Sequence, residues 1–270
     1  MLNIHYALQT CDVKSFQNQK RFCSDSRTEI SKKCSKSFFQ SVWSLAKERS
    51  AETNHHIMVI EDHCTEELCA FLEQCQKEFE LPNLKIEISH LTDQTGIADS
   101  IEACYKWLVE NGKDLVYQVQ DDYLFFPEAV TECVDIFNKI KTETNSAAII
   151  SPWNDCWLWQ VSYRNKSTPR AVFTGRKGYW IQYYDMSCSF LTDHKQFVDN
   201  YDLMQKFLNI IRFADGKVPK ELENISLNHL LTKRGILGIV PVHCLALHMQ
   251  SETEKDPYVD WKPLWESVKI

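Results

Sequence analysis

The first half of the chain alternates short apolar runs with amphipathic segments, and this alternation restricts the folds available to it. Residues 2–8 and 84–88 alternate apolar and polar side chains, while residues 57–60 are continuously apolar, and both patterns are typical of strands. Segments with helical spacing, such as 35–47, separate these runs, and a fourth strand is predicted at 115–120. The order β-α-β-α-β-α-β predicts an α/β fold with a mostly parallel central sheet, right-handed crossovers and flanking helices.

The second half continues the pattern less regularly. We predict a helix after Pro127, a strand at 147–150, a hairpin around the turn at 175–178 and a helix over 194–213. A short helix and a strand are predicted before Pro241. We expect residues 1–250 to form one domain with halves 1–126 and 127–250, and residues 251–270 to lie extended over it as a tail.

Charge and composition exclude several classes of protein. A net charge of −7 argues against nonspecific binding to nucleic acid, which requires clustered Lys and Arg. The sequence contains no apolar run of about 18 to 20 residues, so we expect no transmembrane segment and a cytoplasmic location. The 11 cysteines are odd in number and include no Cys-x-x-Cys pair, which favours buried free thiols over a disulfide framework or a zinc site.

Two of the predicted strands end in acidic residues. Glu61 and Asp62 follow the apolar run at 57–60, and Asp121 and Asp122 follow the fourth strand. The carboxyl ends of neighbouring parallel strands face one crevice, where carboxylates can hold a hard divalent cation against a phosphate. Solvated acidic strand ends are also common, so the Asp pair alone leaves both interpretations open.

The order of these motifs resembles that of a known enzyme group. Residues 59–64 (Val-Ile-Glu-Asp-His-Cys) and 117–124 (Tyr-Gln-Val-Gln-Asp-Asp-Tyr-Leu), followed by a late histidine, resemble blocks of GT-A glycosyltransferases, especially bacterial and viral enzymes similar to family two. The resemblance extends over residues 3–251. It implies a GT-A, Rossmann-like nucleotide-diphospho-sugar transferase fold, with the nucleotide on residues 1–126 and the acceptor on residues 127–250.

The resemblance also implies contacts with a nucleotide sugar. Thr10 and Asp62 would contact its base and ribose, and Asp121 would lie near the ribose or the metal. Arg21, in a basic loop after the first strand, would meet the diphosphate oxygens, although loop cations commonly face water only.

A Mn²⁺ or Mg²⁺ ion bridging the diphosphate is implied as the cofactor. Asp122 and the late His248 would ligate it, with His243 as the alternative histidine. The sequence departs from the resembled pattern at Gln120, where an acid is usual, which removes one negative charge from the cation site.

Glu223 and Asp185 are the two candidates for the general base that takes the proton of the acceptor hydroxyl. Glu223 matches a Glu-Asp-x-x-Leu block, although Asn224 replaces the second acid, and a Glu before a helix is more often a cap partner. Asp185 has aromatic neighbours that could raise its pKa.

The function implied is metal-dependent sugar transfer, with inversion, from a nucleotide sugar, a UDP-sugar being favoured, to a hydroxyl of a glycan or glycoconjugate. Gln120 and Asn224 motivate an alternative, a nucleotide- or sugar-binding module that has lost catalysis. A second alternative, a sugar-phosphate nucleotidyltransferase, normally requires a Gly-rich basic loop after the first strand. Residues 9–12 (Gln-Thr-Cys-Asp) do not provide one.

Overall fold

The computed structural model describes residues 1–12, 25–92, 96–154, 171–183, 189–213, 234–249, 256 and 258–270. Its first half follows the predicted alternation of strands and helices. The elements are β1 (Leu2–Thr10), α1 (Arg27–Glu48), β2 (Thr53–Asp62), α2 (Glu66–Glu78), β3 (Leu84–Leu91), α3 (Ile97–Asn111) and β4 (Leu115–Gln120).

The second half contains shorter strands. Its described elements are β5 (Tyr123–Phe125), α4 (Ala129–Thr144), β6 (Ala148–Ile150), β7 (Val172–Thr174), β8 (Tyr179–Gln182), β9 (Phe190–Asp193), α5 (His194–Asp199), α6 (Tyr201–Phe213), β10 (Leu237–Pro241), β11 (Ala246–His248) and α7 (Lys262–Ser267). No helix in the described ranges is long and apolar enough to cross a membrane.

Nine strands form the central sheet in the order β3-β2-β1-β4-β9-β6-β10-β8-β7, and β5 pairs with β11 in a separate two-stranded sheet. Strands β3, β2, β1 and β4 are mutually parallel, and only β8 and β9 run against the common direction of the large sheet. The predicted α/β class with a mostly parallel sheet between helices is therefore confirmed.

The sheet is covered on both faces by apolar helix surfaces. One face packs against α1, α2 and α4 through residues such as Phe38, Leu72 and Val134, and the other packs against α3, α5 and α6 through residues such as Tyr105 and Phe197. Eight cysteines in the described part of the chain are free thiols, and five of these are buried. Burial on both faces explains why the strands are mainly apolar.

Three features differ from the sequence prediction. Strand β9 lies between β4 and β6, antiparallel to both, in a stretch for which no strand is predicted. The helix predicted over 194–213 is divided at Asn200, whose side chain donates a hydrogen bond to the Gln196 carbonyl at 2.8 Å. The tail is partly helical, and Trp265 of α7 packs against the core with Lys33 over its ring at 4.6 Å.

Candidate functional site

The carboxylate of Asp121, at the end of β4, is buried and surrounded by donors. The hydroxyl of Thr10 and the backbone N–H of Cys11 donate to Oδ2 at 2.9 and 3.1 Å. Arg27 donates through Nη2 to Oδ1 and forms an ion pair there. We call Asp121, Thr10, Cys11 and Arg27 the Asp121 network. Because both oxygens are used within the protein, the network fixes the end of β4 against β1 and α1.

Arg27 is a site residue that the sequence prediction misses, because the predicted helical segment begins only at residue 35. It is the first residue of α1, and the Ser26 side chain caps this helix by accepting from the Glu29 N–H at 3.1 Å. Burial would lower the pKa of Arg27, but the negative charges of Asp121 and Asp122 outweigh it and raise the pKa. The Ser-x-x-Glu spacing of a capping box was the available signal for this helix start.

Asp122 and His248 are brought together by the two-stranded sheet. The register of β5 and β11 pairs His248 with Tyr123, and the Met249 N–H donates to the Asp122 carbonyl at 2.7 Å. Nε2 of His248 then lies 3.3 Å from Oδ2 of Asp122. The imidazole stacks on Tyr123 with ring centroids 4.6 Å apart and meets Trp153 edge-on. We call Asp122 and His248 the Asp122 pair.

The electrostatics and donor atoms of the Asp122 pair fit a divalent cation. Burial would raise the pKa of Asp122, but His248 and Arg27 outweigh it and lower the pKa to about 2. Oδ1 of Asp122 is buried and accepts no hydrogen bond from the described residues. One carboxylate and one imidazole suit Mn²⁺ better than Mg²⁺, which prefers oxygen ligands, and leave coordination positions for further ligands.

The two other predicted nucleotide contacts lie at neighbouring strand ends. Thr10 is fully buried, and its hydroxyl is committed to Asp121. Asp62 ends β2, is buried, and accepts a hydrogen bond from Nδ1 of His63 at 2.5 Å. Between them, Asp12 accepts hydrogen bonds from Thr28 and Thr65 and so joins the starts of α1 and α2. Nucleotide contacts by Thr10 and Asp62 stay predictions.

Gln120 points away from the Asp121 network. Its Nε2 donates to Oε1 of Gln9 at 3.3 Å, and Gln9 donates to Ser100 of α3 at 2.7 Å. Successive residues of a strand face opposite sides of the sheet, so Gln9 and Thr10 point to opposite faces. Their respective partners, Gln120 and Asp121, therefore also lie on opposite faces. Residue 120, where the resembled enzymes usually carry an acid, therefore lies on the α3 side of the sheet.

Three of the remaining predicted residues are not described by the structure, and the fourth lies elsewhere. Arg21, Asp185 and Glu223 lie outside the described residues, so their roles stay predictions. His243 lies beside Asp256, with Nδ1 3.7 Å from Oδ2, and His248 rather than His243 contacts Asp122.

Comparison of the sequence with protein-family models and with curated proteins gives no match. Among solved structures, a nucleoside-diphosphate-sugar pyrophosphorylase from Vibrio cholerae RC9 aligns at 13% identity and a TM-score of 0.45, covering 98% of this chain and 100% of that chain. A UDP-glucose pyrophosphorylase complexed with UDP-glucose aligns at 9% identity and a TM-score of 0.46, covering 93% and 94%.

A mannosyltransferase from Pyrobaculum calidifontis, in complex with GDP-Man and Mn²⁺, aligns at 11% identity and a TM-score of 0.34 over 55% of this chain and 34% of that chain. All of these TM-scores are below 0.5. The similarities therefore do not decide between enzyme classes, and the function proposed below depends on the side chains at the strand ends.

Proposed function

We propose that this chain is a metal-dependent glycosyltransferase of the GT-A type that moves a sugar from a nucleotide-sugar donor, with UDP-sugars favoured, to a hydroxyl of a glycan or glycoconjugate. The observation that carries the proposal is the contact between Asp122 and His248, which are 126 positions apart in the sequence. This contact lies at the carboxyl end of a parallel strand, where α/β sheets bind their ligands. Residues 1–126 would bind the nucleotide, and residues 127–250 the acceptor.

In sugar transfer, the leaving group is the part of the substrate that most needs electrostatic stabilisation. The bond between the anomeric carbon and the diphosphate oxygen breaks, and the nucleoside diphosphate leaves with additional negative charge. A Mn²⁺ ion held by Asp122 and His248 would supply positive charge for this diphosphate. Arg27, whose guanidinium already lies at Asp121, offers a second, permanent positive charge at the same strand end.

The second half of the reaction requires a base for the acceptor. The acceptor oxygen forms a bond to the anomeric carbon, and its proton must pass to a group within hydrogen-bonding reach. Glu223 and Asp185 are the proposed candidates, on the sequence argument alone. Inversion at the anomeric carbon follows if one base acts in a single displacement.

The direct test is a panel of UDP-, GDP- and dTDP-sugars, with and without Mn²⁺, in which release of the nucleoside diphosphate is measured. We expect slow Mn²⁺-dependent hydrolysis of at least one donor, and its loss in Asp122→Asn and His248→Gln. Glu87→Gln is the matched control because Glu87 forms another carboxylate–histidine pair, with His56 at the opposite end of the sheet. If no donor binds or is hydrolysed, and Asp122→Asn changes nothing, the proposal is wrong.

The same protein preparation separates the two alternatives. Formation of a nucleoside triphosphate from a donor and pyrophosphate would identify a nucleotidyltransferase instead. Calorimetry that detects nucleotide binding without metal dependence and without turnover would identify a binding module.

A further inference from the structure

A second group of metal-binding side chains lies at the same edge of the sheet, on β2, β3 and α2. The ligand atoms of Glu61, Cys69 and His90 all lie within 4.8 Å of one another. The strand register pairs Glu61 with His90, so both side chains project from the same face of the sheet. Cys69, near the start of α2, covers this face. Three separate elements therefore direct three different donor atoms at one point.

The carboxylate of Glu61 is the unusual member of this cluster. Glu61 is only 3% exposed, and among the described residues its oxygens have no hydrogen-bond partner outside the cluster. Nδ1 of His90 lies close to Oε2, and the sulfur of Cys69 lies within 4.8 Å of the same group. A buried carboxylate is costly without a charged or coordinating partner, so its environment favours a cation.

We propose that Glu61, Cys69 and His90 form a binding site for a thiophilic divalent cation of the zinc class. Sulfur, imidazole nitrogen and carboxylate oxygen are the ligands of Zn²⁺ and Co²⁺, whereas Mg²⁺ prefers oxygen. Tetrahedral coordination with bonds of about 2.0 to 2.3 Å places ligand atoms about 3.3 to 3.7 Å from one another, a separation of the same order as the present spacing of at most 4.8 Å. Binding releases the thiol proton of Cys69 to solvent.

Three protein ligands leave a fourth position for water or an exogenous ligand. His90 is 60% exposed and gives the cation a path from solvent. The site is separate from the Asp122 pair, because strand β1 lies between β2 and β4 in the sheet. A cation there would join β2, β3 and α2 beside Asp62. The ligands are spread over positions 61, 69 and 90, which is why cysteine spacing alone argued against zinc.

Cobalt provides a selective test because a thiolate bound to Co²⁺ absorbs by charge transfer in the near ultraviolet, and the Asp122 pair contains no sulfur. We expect the full chain to develop this band with one equivalent of Co²⁺, and Cys69→Ser to abolish it. We expect His90→Gln to weaken Zn²⁺ binding, measured by chelator competition, by about tenfold or more. Cys64→Ser and His243→Gln are the matched controls, since His243 is exposed to a similar extent.

Two outcomes would overturn the proposal. If the charge-transfer band persists in Cys69→Ser, another thiol binds the cobalt. If Zn²⁺ binds His90→Gln as tightly as it binds the unmodified chain, the histidine is not a ligand. His90 is exposed, so His90→Gln decides the question even if Cys69→Ser fails to fold, and circular dichroism checks both. Zn²⁺ should also raise the melting temperature of the unmodified chain more than that of His90→Gln.

Discussion

Asp121 and Asp122 are adjacent in the sequence but differ in their surroundings. In the Asp121 network both carboxylate oxygens are used by the protein, through Thr10, the Cys11 amide and Arg27. In the Asp122 pair, His248 approaches one oxygen and the other accepts no hydrogen bond from the described residues. The comparison indicates that Asp121 stabilises the fold, whereas Asp122 keeps a carboxylate oxygen that can coordinate a ligand.

The largest effect expected from this comparison is on stability. Asp121→Asn should lower the free energy of unfolding by about 3 to 5 kcal/mol, because it removes the nearest counter-charge of the Arg27 guanidinium, whose side chain is only 18% exposed. Denaturant unfolding measures this loss. Asp199→Asn, which removes an exposed ion pair with Lys195, should cost at most about 0.5 kcal/mol. Equal losses in the two variants would contradict the structural role of Asp121.

The next largest effect is expected on catalytic activity, and it should distinguish the role of Asp122 from that of Asp121. Asp122→Asn should reduce Mn²⁺-dependent donor hydrolysis by about 100- to 1,000-fold, or about 2.7 to 4 kcal/mol of barrier, through the lost electrostatic stabilisation. Its loss of unfolding free energy should be smaller than that of Asp121→Asn. Steady-state rates and unfolding curves on the same preparations check both statements. A variant that is destabilised like Asp121→Asn but fully active would reverse the assignment.

Lowering the pH should destabilise the protein through two histidines at the opposite end of the sheet. Burial, the largest cause for both residues, lowers the pKa of His5 and His55 from 6.5 to about 4. The unfolded chain therefore binds these protons first, and stability present above pH 6.5 is lost as pH falls toward 4. Each histidine contributes a slope of up to about 1.4 kcal/mol per pH unit.

Unfolding titrations at pH 7, 6, 5 and 4 measure this slope, with the pH interval set by those pKa values. His5→Phe removes one titrating group and should flatten the slope. A slope that His5→Phe does not alter would show that other groups govern acid stability.

The smallest effect is expected at Gln120. Restoring an acid with Gln120→Glu should change the Mn²⁺ affinity by less than about threefold, because this side chain contacts Gln9 on the α3 side of the sheet and not the Asp121 network. Calorimetric titration with Mn²⁺ measures the shift. A much larger gain in affinity would show that residue 120 contributes directly to the cation site.

Local sequence patterns determined the secondary structure of the first half of this protein. Apolar periodicity predicted the first four strands and the three helices between them, since each pattern is complete within one element. The parallel order also predicted that Asp62 and Asp121 would lie at one edge of the sheet, but their strands are separated by β1 and are not neighbours as expected. The start of α2 is also a local matter, since the Thr65 side chain caps it by accepting from the Leu68 N–H.

The tertiary structure alone determined the shortest strands and the contacts between side chains that are distant in the sequence. Strands β9 and β11 have four and three residues, too short for periodicity, and exist because β4, β6 and β5 offer them partners. The same long-range pairing places His248 on Asp122 and His90 beside Glu61. Residue types are readable locally, but the register that brings distant side chains within bonding distance is fixed only when the sheet assembles.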